Sequence, residues 1–245
     1  MNFLNRNKVL FAGSSPHGTY RVVDTVYDGR PARVLYGTNN SPQSGVAQDE
    51  NPELLFDYNQ RFLEIIKSTQ PKRILVIGGG AFMLPIAARR LFSELIVDVV
   101  EIDKLLVDIS RDFFDLPEEP KLRVHIADGI DYLTTTKQRY DMIIVDAFSG
   151  YDIPPSLLEP VAIELYHRHI VDGGIVALNF ISEYKAHRRR LAHTIIDRFS
   201  RAFPHLLMVQ SDPDFPKGKE QNFVLAASDS EFRLDYLQSE ALELF

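Results

Sequence analysis

Glu101, Asp128 and Asp146 each stand at the end of a short apolar run, and an earlier run, Arg73-Ile74-Leu75-Val76-Ile77, ends in Gly78-Gly79-Gly80. If these runs are parallel strands, the glycine turn and the three acids meet along one edge of a sheet, the usual ligand edge of open α/β proteins. Adjacent glycines let the backbone pass closely under a ligand and take positive φ, and a helix opening near Phe82 aims free N–H groups at the same place. The same glycines also suit a plain strand-to-helix turn. They are not a dinucleotide fingerprint, because Gly78-x-Gly80 needs a third glycine where Met83 stands, and a pyrophosphate ligand is disfavoured. Glu101, 21 residues beyond Gly80, is placed to accept both hydroxyls of a ribose, while Asp103 suits the cap of a helix starting at Lys104. Asp128, followed by Gly129, could accept from an adenine amino group or simply cap the next helix. Asp146 closes the apolar run Tyr140-Asp141-Met142-Ile143-Ile144-Val145, and an acid there must face a cleft, be paired, or have a perturbed pKa.

The elements that must position these residues follow from periodicity. Two β-rich runs, Thr19–Tyr27 and Pro31–Tyr36, flank Asp28-Gly29 and predict a hairpin, with Pro31 pointing to an edge or a longer loop. Residues 37–52, rich in Gly, Asn, Ser, Pro and Gln, predict a loop, and apolar residues at helical spacing predict a helix from Pro52 to about Thr69. Then strands alternate with amphipathic segments: Ile74–Ile77 with a helix over Leu84–Leu91, Ile96–Ile102 with Lys104–Phe114, Leu122–Ile126 with a short helix through Tyr132, and Met142–Val145 with Ser156–His169. A further strand, Ile175–Asn179, precedes a helix over Tyr184–Phe199. Two last strands, Leu206–Gln210 and Phe223–Ala227, have no helix between them and predict an antiparallel pair, with a closing helix over Glu231–Phe245. This order is similar to the Rossmann-like class I S-adenosylmethionine-dependent methyltransferase fold: α/β, a seven-stranded, mostly parallel sheet with an antiparallel last strand, here preceded by a small N-terminal β-hairpin region. The expected division is a tail over residues 1–16, the hairpin region over 17–51, a linking helix over 52–70 and a nucleoside-binding α/β domain over 71–245.

Composition narrows the classes. A chain of 245 residues, 45% apolar and 25% charged, can bury a full core. A net charge of −7 argues against a sequence-independent nucleic-acid binder, and zero cysteines exclude disulfides, thiolate nucleophiles and sulfur-ligated metals. No signal-type apolar stretch or membrane-length run is present, so a cytoplasmic protein with no membrane partner is expected. His167 and His169, two apart on a helix, cannot share a face, and no metal is expected. Lys185-Ala186-His187-Arg188-Arg189-Arg190 suits a solvated helix face, and Phe113, Phe114, Phe180 and Phe203 suit core or cleft wall. A Gly-x-Ser-x-Gly elbow is missing, which removes the common hydrolase reading.

From about Tyr20 to Ala227 the chain resembles spermidine synthase and its polyamine aminopropyltransferase relatives. The resemblance rests on the hairpin with downstream Gln43, the helix bearing Tyr58, Ile-Leu-Val-Ile-Gly-Gly-Gly at 74–80 and Val-Glu-Ile-Asp at 100–103. It continues through Ala-Asp-Gly at 127–129, Tyr-Asp-Met-Ile-Ile-Val-Asp at 140–146 and Glu164-Leu165-Tyr166 before a Gly-Gly turn. It implies transfer of an aminopropyl group from decarboxylated S-adenosylmethionine to a diamine. Glu101 would then bind ribose and Asp128 adenine, over Gly78, Gly79, Gly80 and Gly129. Gln43 would reach the nucleoside or amine from the hairpin side, and Asp146 would be the catalytic carboxylate. Tyr58, Phe148 and Asp152 are candidate acceptor contacts, and a homodimer through the hairpin region is implied. Three departures stand out. The family's Gly-Gly-Gly-Asp-Gly-Gly is here Gly78-Gly79-Gly80-Ala81-Phe82-Met83, its Asp-Ser-x-Asp-Pro is Asp146-Ala147-Phe148-Ser149-Gly150, and its Tyr-His-Glu is Tyr58-Asn59-Gln60. Loss of the acid at Ala81 leaves intact S-adenosylmethionine, and hence methyl transfer, as an alternative, and a non-catalytic nucleoside- or protein-binding homologue as another. Asp152, Asp57 or Glu53 are the acids that could replace the missing amine partner.

Overall fold

A computed structural model of the chain describes residues 7–49, 54–150, 152–183, 189–212, 214, 220–232 and 234. Four antiparallel strands open it, β1 (Lys8–Ser15), β2 (Gly18–Tyr27), β3 (Arg30–Tyr36) and β4 (Pro42–Ala47), paired in chain order. The β2–β3 hairpin closes through Asp28 and Gly29, both at positive φ (47° and 76°), the conformation a two-residue hairpin needs to match strand twist. β3 is an inner strand, with Pro31 accommodated beside its first residue.

Two stretches differ from the sequence expectation. The tail contains β1, and the loop over 37–52 contains β4 after a short 3-10 turn at Thr38–Asn40. β4 reads Pro-Gln-Ser-Gly-Val-Ala, poor in β-formers, and is held extended by its ladder to β3 with Ser44, Gly45 and Ala47 buried, so tertiary pairing overrides weak propensity.

α1 (Asp57–Thr69) buries Phe62, Leu63, Ile65 and Ile66 and ends at Gln70 in the left-handed region. The main sheet then assembles from β5 (Arg73–Ile77), β6 (Ile96–Glu101), β7 (Leu122–Ile126), β8 (Tyr140–Val145), β9 (Ile170–Glu183), β10 (His205–Gln210) and β11 (Glu220–Ser228), in the spatial order β10-β11-β9-β8-β5-β6-β7. β5 to β9 pair in parallel, and β11 lies antiparallel between β9 and β10. This is the mostly parallel seven-stranded sheet with an antiparallel last strand that the element order predicts.

The connecting helices are α2 (Met83–Leu91), α3 (Lys104–Phe113), α4 (Gly129–Thr135), α5 (Pro160–His169) and α6 (Arg189–Ser200). The single helix expected over Ser156–His169 is divided into a 3-10 turn (Pro155–Leu158) and α5, because Pro160 forces Glu159 into an extended conformation (ψ 153°) and is suited to a helix's first turn. The start of the helix expected from Tyr184 lies outside the described residues, as does the expected closing helix apart from Glu231, Phe232 and Leu234, which are not helical.

The sheet is covered on both faces. One face packs on α1, α2, α3 and the N-terminal sheet through Phe62, Ile86, Leu106 and Leu35, the other on α4, α5 and α6 through Leu133, Ile163 and Ile195. Among the described residues no helix is long and apolar enough to cross a membrane.

Candidate active site

β5 ends in the glycine turn, where Gly78 (φ 97°) and Gly80 (φ 54°) take the left-handed region. A side chain at Gly78 would lie 2.4 Å from the carbonyl oxygen of Asp146, so the turn and the end of β8 touch backbone to backbone. At Gly79 the intruder would meet the Phe82 ring at 2.5 Å. Phe82, itself at φ 59°, precedes α2 and is fully buried, so the residues presented by the start of that helix are Met83, Leu84 and Pro85.

Glu101, the last residue of β6, fastens the turn. One carboxylate oxygen accepts the N–H groups of Gly79 (2.7 Å) and Gly80 (3.3 Å), and the other accepts Asp103 N–H (2.9 Å). Burial raises its pKa while these three N–H donors pull it back, a conflict a carboxylate meets when it is removed from water yet well solvated by backbone. Asp103 caps α3 through Leu105 N–H (2.9 Å), takes a hydrogen bond from Ser15 Oγ at the end of β1, and is bonded to the Tyr20 phenol, whose pKa burial and this acid push up. Asp128 caps α4, accepting Ile130 N–H (2.7 Å) and Asp131 N–H (3.2 Å) on one oxygen, and the residue lines the cleft.

Asp146 follows β8. Its Oδ1 accepts from Asn179 Nδ2 (2.8 Å) on β9, and Asn179 Oδ1 accepts from Asn222 Nδ2 (2.9 Å) on β11. The second bond fixes which end of the Asn179 amide faces the acid. Burial pushes the Asp146 pKa up to about 7, with the Asn179 hydrogen bond opposing it. Tyr58, near enough for that charge to raise its own pKa together with burial, donates its hydroxyl to the Gln43 carbonyl (3.1 Å).

Gly78, Gly79, Gly80, Glu101, Asp128, Gly129, Asp146, Gln43, Tyr58 and Phe148 line one cavity of about 340 Å³ at the carboxyl ends of β5, β6, β7 and β8. Asp152 is exposed and outside that lining, as is Asp57, and Glu53 lies outside the described residues. His17, Tyr20, Ser44, Asn59 and Asp103 join the wall from elements the sequence left unassigned to it. Tyr20 lies on β2, Ser44 on β4 and Asn59 on α1, each remote from the glycine turn in sequence, and of the five only Asp103, through its helix-capping position, carried a local signal. His167 and His169 have separate partners, Asp229 (2.9 Å) and the Leu165 carbonyl (2.9 Å). Phe114, Phe180 and Phe203 are core. The basic run at 185–190 falls outside the described side chains.

The model of the spermine/spermidine synthase domain matches residues 61–218, more than half of the chain. The chain belongs to that family. Spermidine synthase of Coffea arabica is 32% identical over 179 residues, 71% of this chain and 54% of the relative, so the chain spans about half the length of the curated relatives it matches. The eEF1A lysine and N-terminal methyltransferase of Mus musculus is 28% identical over 173 residues, 66% of this chain and 22% of that protein. Among solved structures, a probable spermidine synthase from Corynebacterium glutamicum superposes with a TM-score of 0.79 at 22% identity, covering 91% of this chain and 81% of that one, and so shares the fold. Measured against the spermidine synthase family, the departure at Ala81 falls on a fully buried side chain outside the cavity lining.

Proposed function

We propose that this protein is a transferase that moves an alkyl group from an adenosyl sulfonium donor to an amine, with aminopropyl transfer from decarboxylated S-adenosylmethionine as its specific reaction. The observation that carries the reading is the convergence of the glycine turn, Glu101, Asp128 and Asp146, a carboxylate of raised basicity, on one cavity. Glu101 keeps lone pairs for ribose hydroxyls beyond its backbone bonds, and Asp128 has a second oxygen not used by its cap and available to an adenine amino group. The amine attacks the carbon beside the sulfonium sulfur, and a neutral thioether leaves. Because that leaving group is already good, alignment supplies much of the rate. Asp146 orients the amine and takes its proton as the bond forms. An ordinary carboxylate near 4 facing an amine near 10 would leave a gap of about 8 kcal/mol, and a value of about 7 cuts it to about 4 kcal/mol.

Methyl transfer from intact S-adenosylmethionine is the second reading, favoured by Ala81, which brings no carboxylate to repel the donor's own, and by the methyltransferase relative. Calorimetric titration of the full chain with decarboxylated S-adenosylmethionine, S-adenosylmethionine and methylthioadenosine separates the readings. Tighter binding of the decarboxylated donor, by tenfold or more, is expected for aminopropyl transfer. The reverse order selects methyl transfer, and no heat with any of the three removes both.

A further inference from the structure

Three polar side chains form a line behind the cleft. Asn222 on β11 donates Nδ2–H to Asn179 Oδ1 (2.9 Å), and Asn179 on β9 donates Nδ2–H to Asp146 Oδ1 (2.8 Å). Asn222 stands opposite Ile181 in the antiparallel ladder, so it reaches Asn179 on a diagonal across one face of the sheet. Asn179 is fully buried and Asn222 half-buried. Among the described residues, Asn179 gives the Asp146 carboxylate its hydrogen bond, and no cation offsets the burial of that acid. Tyr58 faces Asp146 from α1, but its hydroxyl is spent on the Gln43 carbonyl. The other titratable groups of the same wall are Tyr20, Glu101, Asp103, Asp128 and His17, and exposed Glu220 lies two residues before Asn222 on β11.

A carboxamide is a donor at one end and an acceptor at the other. Ionised Asp146 requires the donor end of Asn179. With that end committed, the buried carbonyl oxygen of Asn179 needs a donor of its own, because an unmet buried acceptor is costly, and Asn222 supplies it. Without Asn222, the ionised arrangement leaves that oxygen unpaired. A protonated Asp146 would still be served, since Asn179 could turn and accept the acid's proton on its carbonyl oxygen. Asn222 therefore favours the arrangement in which the hydrogen bond goes to the charged form, and such a bond lowers a carboxyl pKa. We propose that Asn222 is a positioning residue for the reaction: acting through Asn179, it keeps the Asp146 carboxylate charged and aligned to receive the amine's proton. The catalytic part of this inference rests on the transferase reading above; the hydrogen-bond relay does not.

The test uses two near-isosteric variants of the full chain, Asn222→Leu, which removes the donor without adding charge, and Asn222→Asp, which can only accept and so forces Asn179 to turn. Urea unfolding followed against pH reads Asp146 with no substrate present. The fall in stability as Asp146 ionises is expected to move to higher pH by about half a unit or more for Asn222→Leu and about one unit or more for Asn222→Asp. The rising limb of kcat against pH, at saturating donor and amine, is expected to move the same way, so that turnover lost at pH 7 returns toward the parent value at pH 9. A merely structural role lowers turnover at every pH and leaves the limb in place, which overturns the proposal. Asn222→Leu made on top of Asn179→Leu is expected to shift neither profile further, and a full shift there overturns the route through Asn179. A stability profile unmoved in both single variants overturns the relay whatever the donors do, whereas a shifted profile with no turnover from either sulfonium donor upholds the relay and removes the transferase reading alone.

Discussion

The cavity at the glycine turn and a second cavity of about 280 Å³ beside it share Gln43, Tyr58 and Phe148, yet they are assembled from different materials. The first is bounded by the ends of parallel strands, and its shape is set by backbone: the positive φ of Gly78 and Gly80, the N–H groups gathered by Glu101, and the helix cap at Asp128. The second is bounded by side chains from β2, β4, α1, β9 and β11, brought together only when the N-terminal sheet lies over the main one. A backbone-built site tolerates few changes at a few positions, whereas a wall of side chains can be re-lined without disturbing the sheet edge. The chain's departures from the family pattern cross that division, since Ala81-Phe82-Met83 follows directly on the glycines of the first site and Asn59 lines the first cavity. Glu101, Asp128 and Asp146 are kept, while Tyr58-Asn59-Gln60 and the segment after Asp146 differ.

The sharpest challenge to that division is Asp146→Asn. If Asp146 acts on the amine and not on the donor, turnover under donor saturation should fall about 10²- to 10⁴-fold with donor affinity changed less than about threefold. An equal loss of donor binding would merge the two cavities into one functional unit. Next in size is Gly78→Ala, which combines a left-handed backbone with a 2.4 Å clash against Asp146 carbonyl oxygen and should cost about 3 kcal/mol or more in urea unfolding. Gly150→Ala, at φ 70° with nothing within 4 Å, should cost only about 1 kcal/mol, and similar losses at both sites would show that backbone proximity is not what sets the donor edge.

A smaller effect than that at Gly78 is a pH dependence. Asp146 is held near 7 in the folded protein against an ordinary value near 4, so between those values the folded state carries the extra proton. Stability contributed by that proton is full at low pH and is lost as pH rises through 7. Allowing for partial solvent contact, the unliganded protein should lose about 1–2 kcal/mol between pH 5 and pH 8 from this group. Asp146→Asn should remove that slope, and a slope that persists unchanged would place the titration elsewhere.

Much of the glycine-turn edge was legible in the sequence because each signal was local. Glycines after an apolar run, and an acid at the end of the next, need only the right-handed crossover rule to come together. Gln43, Asn179 and Asn222 were a different matter. Gln43 lies on a strand whose residues have weak β preference, and is placed by the ladder to β3. Asn179 gains its role through Asn222, 43 residues away on an antiparallel strand, so neither carries a signal by itself. Asp152 failed to reach the lining for a comparable reason. It lies in a tight bridge with Ser149, whose N–H donates to its carbonyl at 2.8 Å, and that turn leaves the side chain exposed.

The hydrogen bond from Ser15 to Asp103 ties the first strand of the chain to the residue two places beyond Glu101, and Asp103 N–H in turn holds Glu101. An expression variant begun at residue 17 would leave Asp103 buried with one donor fewer and would loosen the acid that gathers the glycine turn. Shortening the amino terminus of this protein is thus an edit to its glycine turn, made about sixty residues before that turn appears in the chain.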